Sequence, residues 1–348
     1  AYWRSQLEDV PVLALPTDLP RPAVQRAVGG IVVTTPDPEL MNALRGLSRA
    51  HNTTLFMTLL AALDVLLSRY SGQTDFAVGM PIANRHHLAS EQLIGTLVNT
   101  LAIRADLSDD PSFTTLLSRV RSTSLDAFAH QDLPFEQIVL ELQPERDMSH
   151  SPLFQVMFDY INVPTPAQNV GALTWSPLEV DRRAAQFDLT LAVVDTPTIQ
   201  TLALEYNSDL FERATVQRML DQFLVLLNSA VNATDSPISR LPLLSQAERE
   251  RLLFDWNATG ADYDRTLTLD QAVQRQCQAQ PNSTAVVCGD ERLRYAELDA
   301  RATERARFLQ QHGIGAETPV GICLHRSPRM IVALLGVLKA GACYVPLD

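Results

Sequence analysis

Two adjacent histidines, His86 and His87, are the side chains in this chain most readily read as an acid–base pair. They open the stretch HHLASEQ, residues 86–92. The stretch closes on Glu91 and Gln92. The stretch also sits in a polar loop between two strand-like runs, so it reads as two solvated histidines. In HQDLPFEQI, residues 130–138, His130 ends one helix, where the dipole favours it. Asp132 is read as the cap of the next helix, Pro134 as its first position and Phe135 as its anchor. Arg146 and Asp147 open RDMSHSPLFQVMFDY and read as a loop salt bridge before an apolar strand. Asn99 lies inside VNTLAIR, an apolar run that Arg104 closes. A buried Asn needs partners, so Asn99 faces either a sheet edge or a tunnel.

Other chemistry is missing from the sequence. It has no G-x-x-x-x-G-K-[ST], no G-x-G-x-x-G, no G-x-S-x-G and no H-E-x-x-H. Its four cysteines, Cys277, Cys288, Cys323 and Cys343, form no C-x-x-C pair, which argues against a zinc site or disulfide framework and for a reduced, cytoplasmic setting. A formal net charge of -12 argues against nucleic acid as a partner. No apolar run reaches the roughly 18 residues of a membrane span.

The elements that must position these residues follow from periodicity. A strand is predicted at Gly30–Thr34, then a helix capped by Asp37 with Pro38 at its first position, and an apolar helix at Thr54–Tyr70 ending at Gly72. Strands at Phe76–Ile82 and Leu97–Ile103 precede helices at Ser112–Ala129 and Phe135–Leu142. Strands at Leu153–Tyr160, Leu173–Val180, Phe187–Val194 and Thr201–Tyr206 lead into an amphipathic helix, Thr215–Asn232. Mixed order of this kind suggests an α/β sandwich. Residues 233–267 read as a linker holding one short helix, with Ser245 and Glu248 as its capping box. A second pattern follows: helix 268–279, strand 284–288, helix 295–312, strand Val320–Leu324, helix Met330–Ala340 and strand Cys343–Val345. The last three form a βαβ unit, whose parallel strands need further cover. Cys343–Leu347 is therefore expected to be an unpaired or frayed edge. Lys339, near the end of its helix, is read as a dipole partner on the surface.

In order, IGTLVNTLAIR (94–104), HQDLPFE (130–136) and RDMSHSPLFQVMF (146–158) closely resemble the last three core motifs of condensation domains in nonribosomal peptide synthetases. AQFDLTL (185–191) and LEYNSDLF (204–211) look like that family's C-terminal lobe, and YWRSQLEDVPVLALPTDLPRPA (2–23) like the segment joining its two lobes. LRYAEL (293–298) and LKAGACYVPLD (338–348) resemble the first two core motifs of the family's adenylation domains.

The resemblance implies a chloramphenicol-acetyltransferase-like condensation lobe at 1–232, a linker at 233–267 and the incomplete N-terminal part of an AMP-forming adenylation domain at 268–348. It implies a parent that joins carrier-bound aminoacyl thioesters and activates an amino acid, using ATP, magnesium and 4'-phosphopantetheine. Carrier domains and the rest of the synthetase are the implied partners. The family's catalytic H-H-x-x-x-D-G is expected upstream of Ala1, and its phosphate loop, metal-binding acid and catalytic Lys beyond the second adenylation motif. The chain is thus expected to be an inactive fragment that binds no cofactor itself. Asn99, Arg104, His130, Asp132, Arg146 and Asp147 are carried over as structural or tunnel-lining residues. Two rivals are a stand-alone lobe that binds carrier proteins and a free acyltransferase using His86 or His87.

Overall fold

The structure is a computed structural model; it describes all residues except 86–92, 144–146, 163–167, 171–172, 176–182, 197–199 and 348. The His86–His87 pair, Arg146 and the greater part of the strand expected at Leu173–Val180 lie outside the described residues. The chain divides into two compact units, Ala1–Trp256 and Asn257–Asp348.

The first unit is built on a six-stranded mixed sheet. Its strands are β1 (Gly29–Thr34), β2 (Asp75–Ile82), β3 (Asn99–Asp106), β4 (Val156–Ile161), β7 (Leu189–Asp195) and β8 (Gln200–Asn207), in the order β1-β8-β7-β4-β2-β3. The pairs β4–β7 and β2–β4 are parallel and the rest antiparallel. A separate short hairpin joins β5 (Gln168–Val170) and β6 (Leu173–Trp175). Before the sheet comes one helical turn and a half, α1 (Tyr2–Leu7). The larger helices are α2 (Pro38–Ala50), α3 (Leu55–Ser71), α4 (Phe113–Ala129), α5 (Phe135–Leu142) and α6 (Arg213–Asn232).

Local signals explain the helix ends. Asp37 accepts a hydrogen bond from the Glu39 amide and Thr54 from that of Met57. Gly72 ends α3 with φ at 74°, a left-handed conformation that costs glycine nothing. Gly79 has a different role: a Cβ there would lie 2.2 Å from the Phe154 ring, so β2 must be bare at that point. Strands β3, β4 and β7 begin and end later than the pattern suggests, because pairing rather than composition sets their limits: Asn99 is the first residue with a β2 partner.

The residues read as the start of a linker are packed onto this unit. Pro237 bridges to Ser112, the Ile238 amide donates to the Pro111 carbonyl, and Ile238 and Leu241 are buried. The short helix α7 (Gln246–Glu250) begins with the expected Ser245–Glu248 capping box.

The second unit holds α8 (Leu269–Ala279), the hairpin β9 (Thr284–Cys288) and β10 (Glu291–Arg294), α9 (Tyr295–Gln311), β11 (Pro319–Ile322), α10 (Pro328–Lys339) and β12 (Cys343–Pro346). The β11–α10–β12 unit is parallel, as its crossover requires. Gly341 closes α10 with φ at 82°. Among the described residues β12 pairs only with β11, and all four of its residues are exposed. The edge is therefore paired on one side rather than unpaired. Lys339 corrects the surface assignment. Its side chain is 12% exposed, and its Nζ lies 2.5 Å from Asp299 Oδ1 and 2.9 Å from Thr303 Oγ1, tying α10 to α9. The helices meet closely at Gly336, where a Cβ would stand 2.7 Å from that of Arg305.

One buried carboxyl has no evident structural use. Helix α3 is buried from Met57 to Leu67, so it has no solvent face on which to place Asp64. One carboxylate oxygen of Asp64 lacks a hydrogen-bond partner among the described residues, and burial pushes its carboxyl well above the usual range. The unfolded chain loses this proton near pH 4; the folded chain keeps it. Stability from this group is thus complete below about pH 4 and is lost as pH rises toward the folded value. Asp64→Asn is expected to gain on the wild type as pH rises from 5 to 8, by roughly 1 kcal/mol or about 2–4 °C in Tm. Parallel melting curves at the two pH values would contradict it.

Candidate functional site

The carried-over residues fall around the N-terminal segment, residues 1–28. This segment crosses the unit with only α1 as regular structure, so its backbone groups must find partners elsewhere. Arg104 supplies two of them. Its Nη1 donates to the carbonyls of Gln6 at 3.1 Å and Glu8 at 3.0 Å. Its Nε and Nη2 fork onto Asp75, each at 2.7 Å, which raises the guanidinium pKa further and holds the side chain in one pose.

Asn99 works in the same way on the loop 130–135. Its Nδ2 donates to the carbonyls of Gln131 and Leu133, both at 2.9 Å, and its Oδ1 accepts from the Phe135 amide at 3.0 Å. Asn99 lies on β3, an edge strand. The structure thus gives it a sheet-edge position and the role of a helix cap. This corrects the reading of Asp132 as the cap: Pro134 occupies the N-cap position, and the first free amide of α5 is taken by Asn99.

His130 ends α4 as expected. Its Nδ1 lies 2.8 Å from the Asp126 carbonyl. A carbonyl only accepts, so Nδ1 carries the proton and Nε2 is the acceptor in the neutral ring. The ring stacks on Tyr2 at a centroid distance of 4.0 Å, and its backbone carbonyl accepts from the Trp3 indole at 3.0 Å. The Tyr2 hydroxyl is buried and has no partner among the described residues; burial, with the nearby Asp126 charge, pushes its pKa up to about 12. It is a neutral donor at physiological pH.

His130, Asp132 and Tyr2 line one cavity of about 350 Å³, together with Trp3, Arg4 and Glu141. Asp147 lies outside it, on a neighbouring groove of about 880 Å³ that shares Arg4, Glu141 and Leu142. The expected Arg146–Asp147 pair lies partly outside the described residues. Asp147 itself accepts from the Ser149 amide at 2.7 Å and faces His150 Nε2 at 3.2 Å; these contacts, the backbone bond foremost, hold its carboxyl below the usual range. Arg104 lines neither cavity; it anchors the N-terminal segment that does.

Sequence reasoning missed Tyr2, Trp3 and the Arg21–Asp188 pair. Arg21 forks onto the buried Asp188, with Nη1 at 3.0 Å from Oδ1, and also donates to the Ser149 carbonyl at 3.1 Å. No spacing could show this, because the partners are 167 residues apart. The available signal was chemical: a buried Asp next to an apolar strand requires a cation.

These contacts hold loops in fixed positions. Among the described residues no three His, Cys, Asp or Glu side chains could share a metal ion. One cavity of the second unit has a lining that does not fit ATP and magnesium. This cavity, about 350 Å³, is lined by Phe308, Leu309, Val320, Ile322 and Leu324 with Arg305 as its one charged group, and no glycine-rich loop there offers amides to a phosphate.

Residues 1–253 match the family model of the condensation domain, and residues 273–348 that of the AMP-binding enzyme. A linear gramicidin synthase polypeptide of Brevibacillus parabrevis is 47% identical over all of this chain, which spans 4% of that protein. Malpinin synthetase of Mortierella alpina is 42% identical, with 4% of its length spanned. A crystal structure of a four-domain nonribosomal peptide synthetase bound to AMP and glycine superposes on the whole chain with a TM-score of 0.84 at 26% identity, over 27% of its own length. The X-domain from teicoplanin biosynthesis matches 70% of the chain and 56% of its own, with a TM-score of 0.63 at 25% identity. Two ordered family matches, a shared fold and relatives of one kind agree: the chain belongs to the condensation-domain family of nonribosomal peptide synthetases, and the start of an AMP-binding domain follows it.

Proposed function

We propose that the chain is an inactive region of a synthetase module whose whole forms peptide bonds between carrier-bound thioesters and activates an amino acid with ATP. One observation carries this reading. Relatives match the entire chain in one continuous order, while it spans only a small part of each. Residues 1–232 act as one lobe of the condensation domain, 233–267 as a connector and 268–348 as the opening of the adenylation domain. Carrier domains are the partners, in the cytoplasm. ATP, magnesium and 4'-phosphopantetheine serve the whole synthetase.

Within the first unit, Asn99, Arg104, His130 and Asp132 are positioning residues. Arg104 fixes the entry of the segment 1–28. Asn99 fixes the loop that carries His130 and Asp132 to the cavity wall. Asp147 shapes the neighbouring groove. None of them is assigned a proton transfer; the role of Asn99, Arg104 and His130 rests on the hydrogen bonds their side chains make to the protein's own backbone.

The 348-residue chain, given loaded donor and acceptor carriers, is expected to yield no condensed thioester by mass spectrometry. Product above background that is lost in a His86→Ala, His87→Ala variant would overturn the reading. With ATP and any amino acid it is expected to show no pyrophosphate exchange, since that chemistry needs donors around the phosphates and a bound metal. Asn99→Ala should cost roughly 1–3 kcal/mol in chemical denaturation, through a lost cap and two stranded carbonyls. It should also speed amide exchange across residues 131–137 before other parts of the unit. Asn99→Asp keeps the acceptor but sets a carboxylate against two carbonyls, so it should be no better than Ala. Unchanged exchange at 131–137 in both variants would remove Asn99 from its positioning role.

A further inference from the structure

The chain as a whole is acidic, with 28 Lys and Arg against 40 Asp and Glu. One groove on the first unit runs against that balance. It encloses about 680 Å³ between the end of α3, helix α6 and the chain leading into α7. Arg69, Arg240 and Arg249 all line it, and all are exposed. Arg69 donates through Nη1 to the carbonyls of Ile238, Ser239 and Leu241. These neutral acceptors engage its Nη1 without cancelling its charge. The side chains of Arg240 and Arg249 make no hydrogen bond or ion pair with a described residue.

Two carboxylates stand near, and both are taken. Asp110 accepts from the Ser239 amide at 2.9 Å and its hydroxyl at 2.6 Å; these bonds, with the Arg240 and Arg69 charges as lesser causes, hold its carboxyl below the usual range. Glu248 closes the α7 capping box and accepts from Gln222 Nε2 at 3.3 Å. Arg218, the nearby fourth cation, donates to Thr215 Oγ1.

The other lining is of opposite character. Leu241, Pro242, Leu243 and Leu244 run along the groove outside any helix or strand. Leu244 is 40% exposed. No backbone group of Leu243 or Leu244 is hydrogen-bonded to a described residue. In sequence, Arg240 and Arg249 bracket this strip.

Free backbone groups, an apolar strip and guanidiniums that make no direct ion pair with a described carboxylate together suit one class of ligand. An extended peptide alternates its side chains between two faces. It can pair its backbone along an exposed strip and present apolar residues to one wall and carboxylates to the other. Guanidinium forks match carboxylates. A lone phosphate would use the cations but neither the leucines nor the free amides. We propose that the groove between α3 and residues 239–249 binds an acidic, leucine-type peptide segment in extended form. Occupancy would fasten the connector to the body of the unit.

The test uses the full 348-residue chain and a fluorescein-labelled octapeptide of alternating Glu and Leu, read by anisotropy. Binding is expected, weakening as salt rises. The matched Lys–Leu octapeptide should not bind. Arg240→Ala with Arg249→Ala should weaken binding roughly tenfold, since each exposed pair contributes modestly. Leu244→Ser should weaken it as well, and amide exchange across 239–250 should slow in the bound wild type. Both variants alter exposed side chains, and circular dichroism checks that they fold. Equal affinity of the wild type and the double Arg variant would overturn the proposal. So would inorganic pyrophosphate displacing the peptide with Leu244→Ser silent, which marks a phosphate site. Self-association of the chain abolished by the Arg variants, with no peptide bound, would assign the groove to a second copy instead.

Discussion

Irregular backbone must be hydrogen-bonded somewhere, and in the first unit that requirement falls on a few polar side chains reaching across the sheet. Arg104 and Asn99 sit on the same edge strand, five residues apart, and serve two different irregular segments. Other anchors follow the same plan. Gln155 accepts from the Leu13 amide, Gln73 both accepts from Ala14 and donates to Val12, and Asn207 donates to the Arg26 carbonyl. The six-stranded sheet supplies rigidity. These contacts convert it into fixed positions for chain that has no ladder of its own.

Electrostatics supports the plan wherever a fork is involved. Arg104 on Asp75 and Arg21 on Asp188 are bidentate, which sets orientation as well as distance. Burying Asp188 without Arg21 would leave a stranded charge, so this pair is more costly to break than a surface ion pair such as Arg26–Asp209. The cavity beside His130 inherits its shape from such contacts: the ring stacks on Tyr2, and the indole beside Tyr2 holds the carbonyl of the same histidine.

Much of the element order was legible in the sequence because its signals are local. Asp37, Thr54, Gly72, Ser245 and Gly341 each act on their own helix end, and each does so in the structure. The site was legible only in part. That Asn99 needs partners follows from its apolar surroundings, but that they are residues 131, 133 and 135 depends on tertiary packing. Asp132 looked like a cap because Asp before Pro is a good local signal; a long-range amide acceptor outcompeted it. Lys339 misled in the same way. Its place near a helix end suggests solvent, yet the close approach of α9 at Gly336 leaves it facing Asp299.

The threading of residues 1–28 bears on how such proteins can be recombined. A crossover placed just before β1 would join one parent's segment to another parent's sheet. The peptide bond would be intact, but Arg21 would need an Asp at 188, Leu13 a Gln at 155 and Asp18 the Glu212 amide and Thr215 hydroxyl that it now engages. Compatibility is therefore written in pairs far apart in sequence, and a splice chosen for sequence similarity at the joint alone ignores most of them. The segment and the sheet are one inheritable block.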